Sequence, residues 1–262
     1  MRSDLKPLVR GAYDIQKLRI QMGNRIVGNF KAKLGQAPSQ KEEEIDDAKA
    51  KKLLKELRER FKKITNGVKS LLPSRVKFVG DELISTYTEL CLLAQYQELE
   101  RHEEQQFSIF GKTLEEYPIW PAWLKGVKGV GPAMAGVIIS EIDIAKSKYP
   151  SSLWKYAGLD VAENGAGRSR KKEHLIKVKY INKDGEEAER DSITFNPFLK
   201  TKLMGVLAAS FLRAGDGPYS RAYYEYKARL EQHPAHMEKT KGHRHHVAQR
   251  RMIKIFLVDL YR

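Results

Sequence analysis

Cysteine is nearly missing from this sequence. Cys91 stands alone, which excludes an intramolecular disulfide and a thiolate zinc cluster and fits a reducing compartment. Long apolar runs are missing as well: no stretch approaches the roughly 18 residues of a membrane span, and the opening MRSDLKPLVRGAYDIQKL lacks the apolar core of a signal peptide. The expectation is a soluble cytoplasmic chain with no membrane partner. Acid is scarce relative to base. Asp and Glu total 33 against 48 Lys and Arg, giving a net charge of +15 and a pI near 9.7, an imbalance that points to a polyanionic partner, with nucleic acid first. The bland alternative is a solvated basic surface.

What is present is enough for a packed fold: 262 residues, 41% of them apolar. Leu53, Leu57, Phe61, Ile64, Val68 and Leu71 recur at steps of three and four, the pattern of an amphipathic helix or coiled-coil arm that Pro73 ends. A second helical pattern from Leu83 through Tyr87 and Leu90 to Leu99 predicts an antiparallel hairpin with the first. Leu57, Phe61, Ile64 and Leu71 form a stripe expected to pair two copies into a homodimer. Residues 37 to 50, polar and charge-rich, read as a loop or a solvated helix start. Two prolines in GKTLEEYPIWPAWL place a domain boundary near residue 118. The expected organisation is a helical arm over 1–118 and a nucleic-acid-binding domain over 119–262. Charge divides unevenly across that boundary. Residues 1–120 hold 22 basic and 18 acidic side chains, whereas residues 121–262 hold 26 and 15, so the binding surface belongs mostly to the second half.

Within that half, VKGVGPAMAGVIISEI has the glycine turn of a helix-hairpin-helix. There Gly129 and Gly131 would let backbone amides meet a phosphate, or would serve packing alone. HLIKVKYINKDGEEAERDSITF alternates apolar and polar residues around Asp184-Gly185, predicting a β-hairpin. Asn196 followed by Pro197 reads as a helix start for NPFLKTKLMGVLAASFL, a segment that supplies Lys200 and Lys202 as candidate contacts. The fold class is therefore mainly α with one inserted β-hairpin.

Two further basic clusters are candidate phosphate contacts. One comprises Arg168, Arg170, Lys171, Lys172, Lys177 and Lys179 in and after a glycine-rich loop; the alternative is a solvated loop. The other is KTKGHRHHVAQRRMIKIFL, with Lys241, His243, Arg244, Arg250, Arg251 and Lys254. On a helical wheel Met252, Ile255 and Phe256 share the core face, and His243, Arg250, Arg251 and Lys254 point outward. Lys241 and His243 fall at the positive end of the helix dipole. His243, His245 and His246 do not converge on that wheel, so no metal site is expected, and His245 reads as a hydrogen-bonded core histidine. No nucleophile or paired carboxylate stands at a telling spacing beside these histidines, and no cofactor is expected.

Taken in order, GVKGVGPAMAGVIISEI, KYPSSLWKYAGLDV, the glycine-rich basic loop, FLKTKLMGVLAASFL, PYSRAYYEYKARLE and HRHHVAQRRMIKIFLVDLY resemble the C-terminal domain of the insertion-sequence transposases that work with a bridging RNA. In that family the recombining serine lies in the glycine-rich loop, where this chain reads ENGAGRSRKK and Ala166 takes its place. Ser169, close by, falls outside the pattern. The family also begins with a β-rich nuclease fold, whereas residues 1–118 here read as helices. A helical arm before such a domain resembles the Nop-domain architecture of guide-RNA proteins, in particular the nuclease-free Tas proteins of tandem-interspaced guide-RNA systems. The resemblance implies a non-catalytic protein that binds a structured guide RNA and reaches target DNA through it. The alternatives are a DNA recombinase of the bridge-RNA type and a helix-hairpin-helix DNA-binding accessory protein.

Overall fold

Helix-forming periodicity dominates the chain, and helices dominate the result. The computed structural model describes residues 2–35, 48–65 and 78–262. The described residues are mainly α, with one two-stranded antiparallel sheet, and none of their helices is long and apolar enough to cross a membrane. Two compact units divide them: Pro7–Phe110, and Met1–Lys6 with Gly111–Arg262.

The first unit is built from α1 (Arg2–Lys33), α2 (Ala48–Thr65) and α3 (Tyr87–Thr113). The apolar stripe of α2 is buried: Leu57 and Phe61 join Ile26, Phe30, Leu90 and Tyr96 in one core, and Ile64 packs at its edge. This corrects the expectation that Leu57 and Phe61 are left for a second copy, because neighbours in the same chain cover them. Val68, Leu71 and Pro73 lie outside the described residues, as do most of residues 37 to 50. The second helix starts later than its apolar pattern. Thr86 Oγ1 accepts from Glu89 N at 3.2 Å while Glu89 Oε2 accepts from Thr86 N at 3.1 Å, a reciprocal cap that fixes the start of α3. Leu83 and Ile84 are buried ahead of it, their amides held by Asp81 Oδ1 at 2.8 and 2.7 Å. Burial pushes the Asp81 carboxyl up, but the Ile84 amide, the Arg60 guanidinium and the Leu83 amide together hold it below its usual range.

The second unit runs through α4 (Ile119–Ala122), α5 (Pro132–Glu141), α6 (Pro150–Tyr156), β1 (Ile176–Ile181), β2 (Glu187–Ser192) and α7 (Pro197–Thr201). A π-helical stretch (Lys202–Leu207) leads into α8 (Ala208–Arg213), followed by α9 (Pro218–Gln232), α10 (Pro234–Met237) and α11 (Lys241–Tyr261). From Met134 to Glu141, every residue of α5 is buried. Glu141 is neutralised by Lys6 at 3.3 Å and accepts from Asn196 Nδ2 at 2.6 Å. Asn196 also accepts from Leu199 N at 3.1 Å and so caps α7, as Asn-Pro predicts. Phe256 of α11 anchors the core, stacked on Trp123 and packed against Phe211 and Tyr219.

The hairpin forms with Lys177 opposite Asp191, Lys179 opposite Glu189 and Tyr180 opposite Ala188. Gly185 takes the positive φ of 83° that its turn requires.

Candidate nucleic-acid interface

Thr240 begins the interface by capping α11: its Oγ1 accepts from His243 N at 3.1 Å. Ala248, Met252, Ile253, Phe256, Leu257 and Leu260 then face the core. On the other side of the same helix, Arg250, Arg251 and Lys254 line a cleft of about 550 Å³ opposite residues 165–167 of the glycine-rich loop. Its walls include Trp154, Tyr226, His236, His243 and His246, and no carboxylate among the described residues lines it.

The loop is shaped by its own hydrogen bonds. Arg168 N donates to Asp160 O at 3.1 Å, Ala162 N to Ala166 O at 2.7 Å, and the Arg168 guanidinium to Asp160 Oδ2 at 2.9 Å. A buried histidine ties down the tip. His174 Nδ1 accepts from Ser169 N at 3.0 Å, so that nitrogen carries no proton and the Ser169 hydroxyl, 2.7 Å away, donates to it. His174 Nε2 then donates to Asn164 Oδ1 at 3.3 Å, and the same oxygen accepts from Ala166 N at 3.0 Å. Ser169 and His174 thus hold Ala166 in place from behind.

Arg250 is the unusual member. Its guanidinium lies where a Cβ on Gly167 would stand, 1.9 Å from Nη1, so any side chain there would make the guanidinium shift. Among the described residues it makes no hydrogen bond and no ion pair. Burial pulls its pKa below the usual guanidinium range, partly opposed by Asp160. Its guanidinium nitrogens still reach solvent through the cleft, so they are open to an acceptor that enters it. Lys254 is also held down by burial and by Arg250; its ammonium sits 5.1 Å from the Trp154 ring centroid. Burial first, and Arg250 second, lower Lys200 to about 8.

The basic residues singled out in the sequence therefore separate into three groups. Arg250, Arg251, Lys254 and His243 come together at the cleft with Ala166 and Gly167, and Arg170 lies close enough to depress Lys200. Others are engaged by the chain itself. Arg244 donates to the carbonyl oxygens of His236 at 3.3 Å and Met237 at 3.1 Å. Lys200 donates to the Arg168 carbonyl and covers the Phe195 ring, and Lys202 covers Phe198. Lys179 meets Glu187 at 3.3 Å, Lys177 meets Glu189 at 4.0 Å, and Lys171 meets Glu173 at 3.8 Å. Lys172 and Lys241 are exposed, away from the cleft walls. At the expected helix-hairpin-helix, Gly129 has φ 94° and a Cβ there would lie 2.9 Å from Phe211, so packing accounts for this glycine. Gly131 caps α5 in open surroundings. The histidines of α11 go separate ways: His245 Nδ1 bonds the Tyr223 hydroxyl at 2.5 Å and His246 Nδ1 bonds Gln249 at 3.1 Å.

Sequence reasoning missed Trp154, Tyr226, His236 and His246. Their cleft is assembled from four separate segments, and no local pattern joins them. Arg250 and Lys254, outward on the wheel, are half-buried because the loop returns over them.

Residues 122–184 match the family described as Transposase IS116/IS110/IS902 family, which supports a transposase-like domain there. That stretch contains α5, α6, the cleft loop with Ala166, and β1. No curated protein and no solved structure matches the chain.

Proposed function

We propose that this chain binds a structured guide RNA through the cleft of its second unit, does not itself cut nucleic acid, and reaches target DNA through the RNA. The observation that carries the reading is Arg250, a half-buried guanidinium with five donors, set beside Arg251 and Lys254 in a cleft where, among the described residues, it has no hydrogen-bonded partner and no carboxylate lines the walls. A phosphate supplies the missing charge and acceptors together. The transposase-family match over the loop and the overall charge of +15 support the same reading. Ala166 at the family's serine position favours binding without cleavage, since a methyl group cannot attack a phosphodiester. The test is to wash the purified protein in high salt and sequence what stays bound. RNA of discrete length is expected; DNA, or nothing, would contradict the proposal.

Self-association belongs to the proposal, through surface other than the covered Leu57 and Phe61. Light scattering that finds only monomer at tens of micromolar, with and without RNA, would remove it.

A second reading, a DNA recombinase, is favoured by the Ser169 hydroxyl donating to an unprotonated imidazole nitrogen of His174. That serine does not line the cleft. Incubation of duplex DNA with protein and magnesium separates the readings: intact DNA is expected, and cutting that Ser169→Ala abolishes would establish the second.

A further inference from the structure

Phosphate alone does not explain the walls of the cleft. A site for backbone phosphates needs cations on an accessible surface, yet here Arg250 and Lys254 share a concavity with Trp154, Tyr226, Leu159 and Val247. The indole is fixed in place, since Trp154 Nε1 donates to the Lys254 carbonyl at 3.2 Å and Lys254 Nζ lies over the ring. At about 550 Å³ the space lies within the range of small-molecule pockets. A duplex keeps its bases stacked inside and offers such rings nothing. An unstacked nucleotide brings a phosphate and an aromatic face into one concavity, as single-stranded RNA does on aromatic side chains.

We infer that the cleft between α11 and the 165–167 loop holds one unpaired ribonucleotide, its phosphate on Arg250 and its base against Tyr226 and Trp154. The inference rests on the nucleic-acid-binding reading above and adds that the RNA carries an unstacked residue at this point. Ala166 then has a role that its methyl group suits: a small side chain on the loop keeps the entrance open.

The full chain is titrated with a short oligoadenylate, and separately with a blunt RNA duplex of the same length, for wild type and three variants. Tyr226→Ala removes a cleft wall, Ala166→Trp fills the entrance from an exposed position, and Tyr224→Ala is the control, 58% exposed on the same helix. Tyr226→Ala and Ala166→Trp should each weaken single-strand binding about tenfold and weaken duplex binding much less. Tyr224→Ala should change neither. Single-strand affinity equal to wild type in both cleft variants, or equal losses for single strand and duplex, would overturn the inference while nucleic-acid binding stands. A wild-type protein that binds neither RNA would overturn the functional reading as well.

Discussion

Arg250 shows what one residue's environment can say about function. Glutamine at that position removes an uncompensated charge from a half-buried site, so Arg250→Gln should leave the melting temperature of the RNA-free protein unchanged or raise it, while RNA affinity falls. Differential scanning fluorimetry beside a binding titration checks both; a clear drop in melting temperature would mean that Arg250 supports the fold. Lys200 gives a pH signature. Burial lowers it from 10.5 to about 8, so the folded state disfavours its charged form below that pH. This destabilising effect is complete below about 8 and is relieved as pH rises from there towards 10.5. RNA affinity should not share this step, because Lys200 donates to the Arg168 carbonyl and does not line the cleft. Lys200→Arg should abolish the step because a guanidinium stays charged. Gly129→Ala should lower stability by roughly 2 kcal/mol, from a strained positive φ and a contact with Phe211, without changing the affinity of the folded protein. Thermal melts and titrations of that variant decide whether the turn serves packing or phosphate. At this scale the sequence was a partial guide. The cap at Asn196, the turn glycine at 185 and the hydrogen-bonded His245 follow from local chemistry. The burial of Arg250 does not, because it depends on a glycine 83 positions earlier.

Elements were more legible than sites. The apolar stripe of α2 requires a helix with one face buried, and it has one; what periodicity cannot supply is the identity of the covering surface, here α1 and α3. Leu57→Ala should accordingly destabilise the protein by roughly 2–5 kcal/mol, as for any core leucine, and leave the association state unchanged. Chemical denaturation and light scattering measure the two. The hairpin shows the opposite limit. Alternation predicts its strands, but the pairing of Lys177 and Lys179 with acids follows from a cross-strand register that residue counts along one strand do not contain. These lysines should contribute little to RNA binding, so changing both to glutamine should leave affinity and its salt dependence close to wild type.

Across the whole molecule, the charge of +15 is a long-range attraction that any nucleic acid would feel, and it carries no information on where the grip lies. In the proposed reading that general attraction is concentrated at one concavity, whose walls carry no acid among the described residues and where the half-buried Arg250 has no hydrogen-bonded partner among them. Local pairing elsewhere takes basic side chains out of service: Arg168 to Asp160, Arg244 to carbonyl oxygens, and the hairpin lysines to glutamates. On the proposed function, a few residues of α11, rather than the basic surface at large, hold the RNA. The most direct measurement is the slope of log K against log salt for RNA binding by wild type and by the triple variant Arg250→Gln, Arg251→Gln, Lys254→Gln. Each lost phosphate contact should reduce the slope by about 0.7 to 0.9, so a reduction of about two units or more with a strong loss of affinity is predicted. An unchanged slope and affinity in a folded triple variant would contradict the account and place the grip elsewhere on the basic surface.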